Sequence, residues 1–195
     1  MPSLRSQIDP QMLEKIRPEF QGNISIIEKE FQKAGLPVEF TAGALINVWH
    51  ESGFNHKIRS GFPGEDSVGL FQLNIVGAGK GMVLPDGTDL RMDPVKNTRR
   101  IIEEVQSNWG DAMREAYASG DRRVSTYAGL FCRDIERPAY RPRCAEMRGP
   151  TALKFFPSDS VKGPFPKWII YTGVSLLSVY AIGALAYLYL EDADA

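Results

Sequence analysis

The stretch Thr41-Ala42-Gly43-Ala44-Leu45-Ile46-Asn47-Val48-Trp49-His50-Glu51-Ser52-Gly53-Phe54-Asn55 decides how this chain folds. Thr41 is a residue type that caps helix N-termini, Leu45, Val48 and Trp49 fall on one helical face, and Gly53 breaks the pattern. Glu51 therefore stands where an apolar helix gives way to a glycine-containing turn. One side of its carboxyl faces packed residues and the other a loop. Partial burial of this kind raises a carboxyl pKa and makes a proton donor near neutral pH.

Working outward, Asn23 is placed to cap a helix with Ile24, Ile27 and Phe31 on its apolar face, ended by Gly35. Asp93-Pro94 combines an N-cap with proline at the first helical position, and Val95, Thr98, Ile102, Val105 and Trp109 follow at helical spacing up to Gly110. Asp121 opens a further helix presenting Val124, Tyr127, Ala128 and Phe131. Strand signals are sparse, so the domain is mainly α. The exception is the glycine-rich stretch from His56 to Met92, where Pro85-Asp86-Gly87 predicts the turn of a small β-hairpin. Within it, Ser67-Val68-Gly69-Leu70-Phe71-Gln72-Leu73-Asn74 places Gln72 and Asn74 toward a groove, with Phe71 or Leu73 packing inward. Gly69 allows close backbone approach.

The composition hides a division. The chain has 195 residues, 43% hydrophobic and 24% charged, with a net charge of −1. Yet Trp168 to Leu190 is a run of 23 residues without a charge, 18 of them hydrophobic. As a helix that run spans about 35 Å, more than the roughly 30 Å of bilayer hydrocarbon, which predicts a single transmembrane helix. Lys162 and Lys167 before it and Glu191, Asp192 and Asp194 after it place the amino-terminal part on the cytoplasmic side. The first twenty residues contain no continuous apolar region of the secretory type. The expected organisation is an N-terminal extension (1–21), a catalytic domain (22–148), a linker rich in proline and glycine (149–166), the transmembrane helix (167–190) and an acidic tail (191–195).

Several function classes fall away. Near-zero net charge argues against nucleic acid as partner, although seven arginines between Arg122 and Arg148 give the last third of the domain a basic bias toward lipid headgroups or an anionic wall. A zincin-type zinc motif needs a second histidine where Phe54 stands, and His50 and His56 do not share a helical face. Gly77-Ala78-Gly79-Lys80-Gly81 is no phosphate loop, because Asn74 stands at the first glycine position and Gly81 at the hydroxyl position. No metal and no cofactor is implied. Cys132 and Cys144 either close a short loop or remain free thiols.

Four strings occur in an order that resembles the lytic transglycosylases of the lysozyme-like superfamily: Glu51-Ser52-Gly53-Phe54-Asn55, Gly69-Leu70-Phe71-Gln72, Asp93-Pro94-Val95-Lys96-Asn97 and Ser125-Thr126-Tyr127-Ala128-Gly129. The resemblance covers roughly residues 22 to 140. Phe71 stands where that family usually has methionine, and Ala128 where it has asparagine. Phe131 to Pro138, ending Ile135-Glu136-Arg137-Pro138, is similar to a string in phage-associated members. The resemblance implies a mainly α, α+β lysozyme-like fold with a small β-hairpin at the cleft, to which the charge-free run adds a C-terminal transmembrane helix. It makes Glu51 the catalytic acid for the β-1,4 bond between N-acetylmuramic acid and N-acetylglucosamine, with Ser67, Phe71, Gln72, Asn74 and Tyr127 as substrate-binding candidates. Tyr127 fits a core position equally well. A lysozyme would add a second carboxylate, for which Glu65 and Asp66 are candidates, though solvated loop charges are the preferred reading of both. Glu136 is read as an ion pair with its neighbour Arg137.

The implied partners are peptidoglycan glycan strands, a lipid bilayer and other virion proteins. The expected setting is the membrane of a lipid-containing bacteriophage, from which the enzyme opens the host wall during genome entry. The alternatives are a muramidase that hydrolyses the same bond, and a non-catalytic glycan-binding virion protein of the same fold.

Overall fold

All ten positions from Glu39 to Val48 are buried, so the helix that contains them, α3 (Val38–Ser52), must run through the middle of the domain. In the computed structural model, which describes residues 2–60, 64–137 and 141–163, the other helices gather round it. These are α1 (Pro10–Glu14), α2 (Gly22–Lys33), α4 (Pro94–Gln106), α5 (Asp111–Ala118), α6 (Val124–Leu130) and α7 (Cys144–Phe155). A π-helical turn, Phe131–Glu136, continues directly from α6. The sheet consists of two antiparallel strands, β1 (Ser67–Val68) and β2 (Leu73–Asn74), with Ser67 opposite Asn74 and Val68 opposite Leu73.

Some helix starts differ from the sequence reading. Asp93 caps α4 as expected, its Oδ1 accepting from the backbone N–H of Val95 (2.8 Å) and Lys96 (3.0 Å). Asn23, however, lies inside the first turn of α2. Its amide donates to the Phe54 carbonyl at 2.8 Å, so it secures the chain just beyond α3 rather than capping its own helix. Thr41 is likewise internal, since α3 begins three residues earlier behind Pro37. Both polar residues found tertiary or in-helix partners once buried. The turn at Pro85-Asp86-Gly87 forms, with Val83 bridged to Asp89, while the paired strands lie earlier, at Ser67–Asn74.

Two contacts fix how α3 meets α6. A Cβ on Gly43 would sit 2.7 Å from the Tyr127 carbonyl carbon, so only glycine permits this approach. One turn later the Asn47 amide donates to the carbonyls of Gly43 (2.8 Å) and Ala128 (3.0 Å), stitching the two helices. The glycine-rich loop is organised by Arg91, which is fully buried. It donates to the backbone carbonyls of Asp66 (2.6 Å) and Leu73 (3.2 Å) and pairs with the carboxylates of Asp66 and Asp89.

The chain ends of the domain are more integrated than expected. Leu4, Ile8, Met12 and Ile16, expected in an extension, are buried in the core. The start of the expected linker is the last half of α7, which carries Pro150 within it and ends at Phe155. Phe155 and Phe156 are buried, and Asp159 accepts from the Ser125 backbone and hydroxyl.

The expected fold class included a transmembrane helix, and this is corrected. Among the described residues no helix is long and apolar enough to cross a membrane. The longest, α3, has 15 residues, which gives about 22 Å against roughly 30 Å of hydrocarbon. Residues 167–190, where that helix was expected, lie outside the described residues.

Cys132 in the π-helical turn is disulfide-bonded to Cys144 at the start of α7, with 12 residues of sequence separation. Closing a loop of this length stabilises by about 3 kcal/mol through the entropy it removes from the unfolded chain. Replacing both cysteines by serine should therefore lower the unfolding free energy by about that amount in urea titration.

Candidate active site

Helix α3 stops one residue after Glu51, at Ser52, because Gly53 adopts the left-handed conformation (φ 57°) and its N–H closes on the Trp49 carbonyl. The Ser52 hydroxyl holds this helix end against the β-turn, 2.8 Å from the Leu70 carbonyl. The turn is held in turn by α4. Asn97 accepts from the Phe71 N–H (3.1 Å) and donates to the carbonyls of Arg91 (2.8 Å) and Val68 (3.2 Å). Gly69 has φ 85°, and a side chain there would collide with Asn97 and the Arg91 carbonyl. Three of the four strings therefore meet physically: the helix end bearing Glu51, the Gly69 turn and the start of α4.

The Glu51 side chain remains 28% exposed on one side. On the other it meets Arg148 of α7, whose Nη2 lies 3.0 Å from Glu51 Oε1 and also 3.0 Å from Glu136 Oε2. The guanidinium is aimed by Asn47, whose Oδ1 accepts from Arg148 Nε at 2.8 Å. With its amide hydrogens already on two backbone carbonyls, Asn47 has one orientation only. Arg148 and Glu136 are enclosed, their side chains 6% and 9% exposed. Glu136 Oε1 is buried and has no hydrogen-bond partner among the described residues.

Burial raises the pKa of Glu51, with Arg148 opposing it. It raises that of Glu136 further, to about 8, the negative charge of Glu51 adding to the effect and Arg148 again opposing. The two carboxyls face one guanidinium and titrate as a pair. Glu51 also ends a helix, where the negative pole of the dipole favours its protonated form. A half-open carboxyl whose pKa burial raises is suited to general-acid chemistry.

The remaining sequence candidates are distributed around this centre. Ser67 is buried in β1, its hydroxyl donating to Glu65 at 2.9 Å, and Asn74 lies across from it in β2 with its amide 3.4 Å from the Ser67 hydroxyl. Gln72 has φ 45°, and its amide donates to the carbonyls of Gly69 (2.9 Å) and Ile58 (3.3 Å), bracing the turn. Phe71 is buried and stacks on Phe131, with ring centroids 5.8 Å apart. Tyr127 is fully buried beside Phe40, and its hydroxyl donates to the Asp121 carbonyl at 2.6 Å. Asp66 is bound by Arg91 and Arg59, and the Arg91 hydrogen bond, the larger effect, holds its carboxyl below the usual range. Glu65 is exposed, and its charge acts on Glu51.

The ion pair expected between Glu136 and Arg137 is not formed. Arg137 turns away to Glu104 (3.4 Å) and lies over the Trp109 ring at 4.4 Å, leaving Glu136 to Arg148. Arg148 and Asn47 were absent from the sequence reading as site residues. The one available signal was Asn47 on the buried face of the helix that carries Glu51.

Glu136 binds its proton more tightly in the folded chain than at its ordinary value of 4.5, so folding loses stability as pH rises from about 4.5 to about 8. Glu136→Gln removes that loss. The melting temperature of the variant relative to the parent should therefore climb steadily across this interval, as measured by thermal unfolding at fixed ionic strength.

Among known protein families, the transglycosylase SLT domain matches residues 26–130, which takes in the helix of Glu51, the Gly69 turn, α4 and α6. No curated protein and no solved structure matches the chain. Since that domain spans more than half of the sequence and its strings converge on one half-buried glutamate, the chain belongs to the transglycosylase SLT domain family.

Proposed function

We propose that this protein is a peptidoglycan lytic transglycosylase in which Glu51 acts first as acid and then as base. The observation that carries the reading is the solvent-facing carboxyl of Glu51, raised in pKa by burial and held against Arg148. In the reaction, Glu51 gives its proton to the glycosidic oxygen as the bond from the muramoyl C1 to that oxygen breaks. The Glu51 carboxylate then takes the proton of the muramoyl C6 hydroxyl while O6 bonds to C1. A 1,6-anhydro ring closes, no water is consumed, and Glu51 ends protonated.

The distribution of the other acids supports this over hydrolysis. Asp66 is committed to two arginines, and Glu136 is enclosed behind Arg148 rather than open to a water on the far side of the sugar. A muramidase reading rests on Glu65, which is exposed and whose charge reaches Glu51. As setting we propose a virion-borne enzyme that opens the wall locally for genome entry. Its support is the string Phe131 to Pro138, similar to one in phage-associated members. Recovery of the chain with purified virus particles agrees with this setting, and recovery only in host fractions overturns it.

Digestion of purified peptidoglycan by the full-length chain, with mass analysis of the products, tests the reaction. Anhydro-muropeptides are expected; new reducing ends would assign the muramidase instead. Glu51→Gln should lower the rate at least about a hundredfold, and equal activity would remove Glu51 from the mechanism.

A further inference from the structure

Glu136 has no part in the bond-breaking steps, yet it is the most enclosed carboxyl near them. Its Oε2 and the Oε1 of Glu51 each lie 3.0 Å from the same Arg148 nitrogen, which puts the two oxygens within about 6 Å of one another. One guanidinium offsets one negative charge. In an enclosed site a second carboxylate on the same cation has no compensation, so one of the two carboxyls keeps its proton; at rest it is Glu136, the more enclosed, whose hydrogen bond to Glu51 favours the ionised form of Glu51. The buried Oε1 of Glu136, without a donor among the described residues, adds to the cost of ionising that side.

Among the described residues, the elements packed against the π-helical turn supply no further compensation for the Glu136 carboxyl. Helix α3 presents Glu51, while its His50 is hydrogen-bonded to Thr151 at 2.9 Å. Helix α7 presents Arg148. Helix α4 presents Glu104, which is paired with Arg100 and Arg137. Helix α6 contains no Asp, Glu, Lys, Arg or His, and its Tyr127 hydroxyl is bonded to the Asp121 carbonyl. The turn Arg141–Arg143 carries arginines, but the charges acting on the Glu136 carboxyl are those of Glu51 and Arg148.

The arrangement is built rather than incidental. Glu136 lies four residues after Cys132, and Arg148 four residues after Cys144, so the disulfide clamps the two segments one turn upstream of the ion pair on both sides. Asn47 fixes the guanidinium from the third side.

We propose that Glu136 is a positioning residue for the transglycosylase reaction: sharing Arg148 with Glu51, it shares a single proton with it, holding that proton at rest and yielding it to the open carboxyl. The role rests on the reading of Glu51 as general acid. A glycan strand that covers the open side of Glu51 removes it from water and draws the shared proton onto it. Once that proton passes to the glycosidic oxygen, two carboxylates face one guanidinium. The site is then negative by one charge as positive charge develops at C1, which stabilises the oxocarbenium-like state.

The test is the pH dependence of kcat/KM for the full-length chain, for Glu136→Gln and for Glu136→Asp. In Glu136→Gln, Glu51 faces Arg148 without a competing carboxyl and gives up its proton at lower pH. Its alkaline limb should move toward acid by at least about one unit, an extra loss of about tenfold in rate above the limb. Glu136→Asp, which restores a carboxyl, should return the limb most of the way. A folded Glu136→Gln with the parental profile overturns the proposal.

Should that variant fail to fold, side-chain carboxyl NMR titration of the parent decides. One of the two carboxyls is expected to stay protonated beyond pH 7, whereas two carboxyls titrating in the ordinary glutamate range overturn it. Parental activity that depends on Glu51 but not on Glu136 sinks this inference alone. An inactive parent sinks the reaction itself.

Discussion

A single guanidinium nitrogen shared by two glutamates is the interaction on which the rest of the site depends. Arg148 occupies that place only because its Nε is held by Asn47, and Asn47 is oriented only because its amide hydrogens bridge α3 and α6. That bridge requires the close helix approach that Gly43 permits. The disulfide then brings α7 and the π-helical turn together one turn from Arg148 and Glu136. Three helices thus converge on one cation, which opposes the burial that raises the pKa of the half-open Glu51. Burying such a network costs desolvation at each charge, and here the packing leaves those charges few alternatives.

A second, similar arrangement holds the loop beside it. Arg91 is buried among backbone carbonyls and two carboxylates, which lets a glycine-rich stretch with little regular secondary structure keep a defined course. Asn97 couples that loop to α4 and, through the Gly69 turn, to the end of α3. The Asp93-Pro94-Val95-Lys96-Asn97 string therefore has two structural duties, capping α4 and pinning the turn. Both duties are structural, so a string that marks a family in sequence can be the frame of the candidate site.

How far the sequence was legible follows the range of the interactions. The cap at Asp93, the stop at Gly53, the apolar faces of α2 and α4 and the placing of Glu51 at a helix end are consequences of neighbours within about one or two turns. The errors concern residues whose partners are distant. Asn23 has the chemistry of a cap but found the Phe54 carbonyl 31 residues away. Glu136 has an arginine beside it in sequence, yet pairs with another 12 residues on, because the π-helical turn and the left-handed Arg137 (φ 54°) swing the neighbour away. Tyr127, which in sequence fits a core position and a site role equally, is buried against Phe40 with its hydroxyl on the Asp121 carbonyl.

By itself the sequence determined a mainly helical domain, a glutamate at the end of an apolar helix and the order of strings that identifies the family. These rest on short-range periodicity, capping and turn chemistry, which are readable along one chain. Tertiary structure alone decided that Cys132 and Cys144 pair, that Leu4, Ile8, Met12, Ile16 and the end of α7 belong to the core, and that Glu51 shares Arg148 with Glu136 across 97 residues of sequence. The physical reason is that burial, not adjacency, selects the partner of a charge: once water is excluded, each carboxylate goes to whichever cation the packing brings within reach.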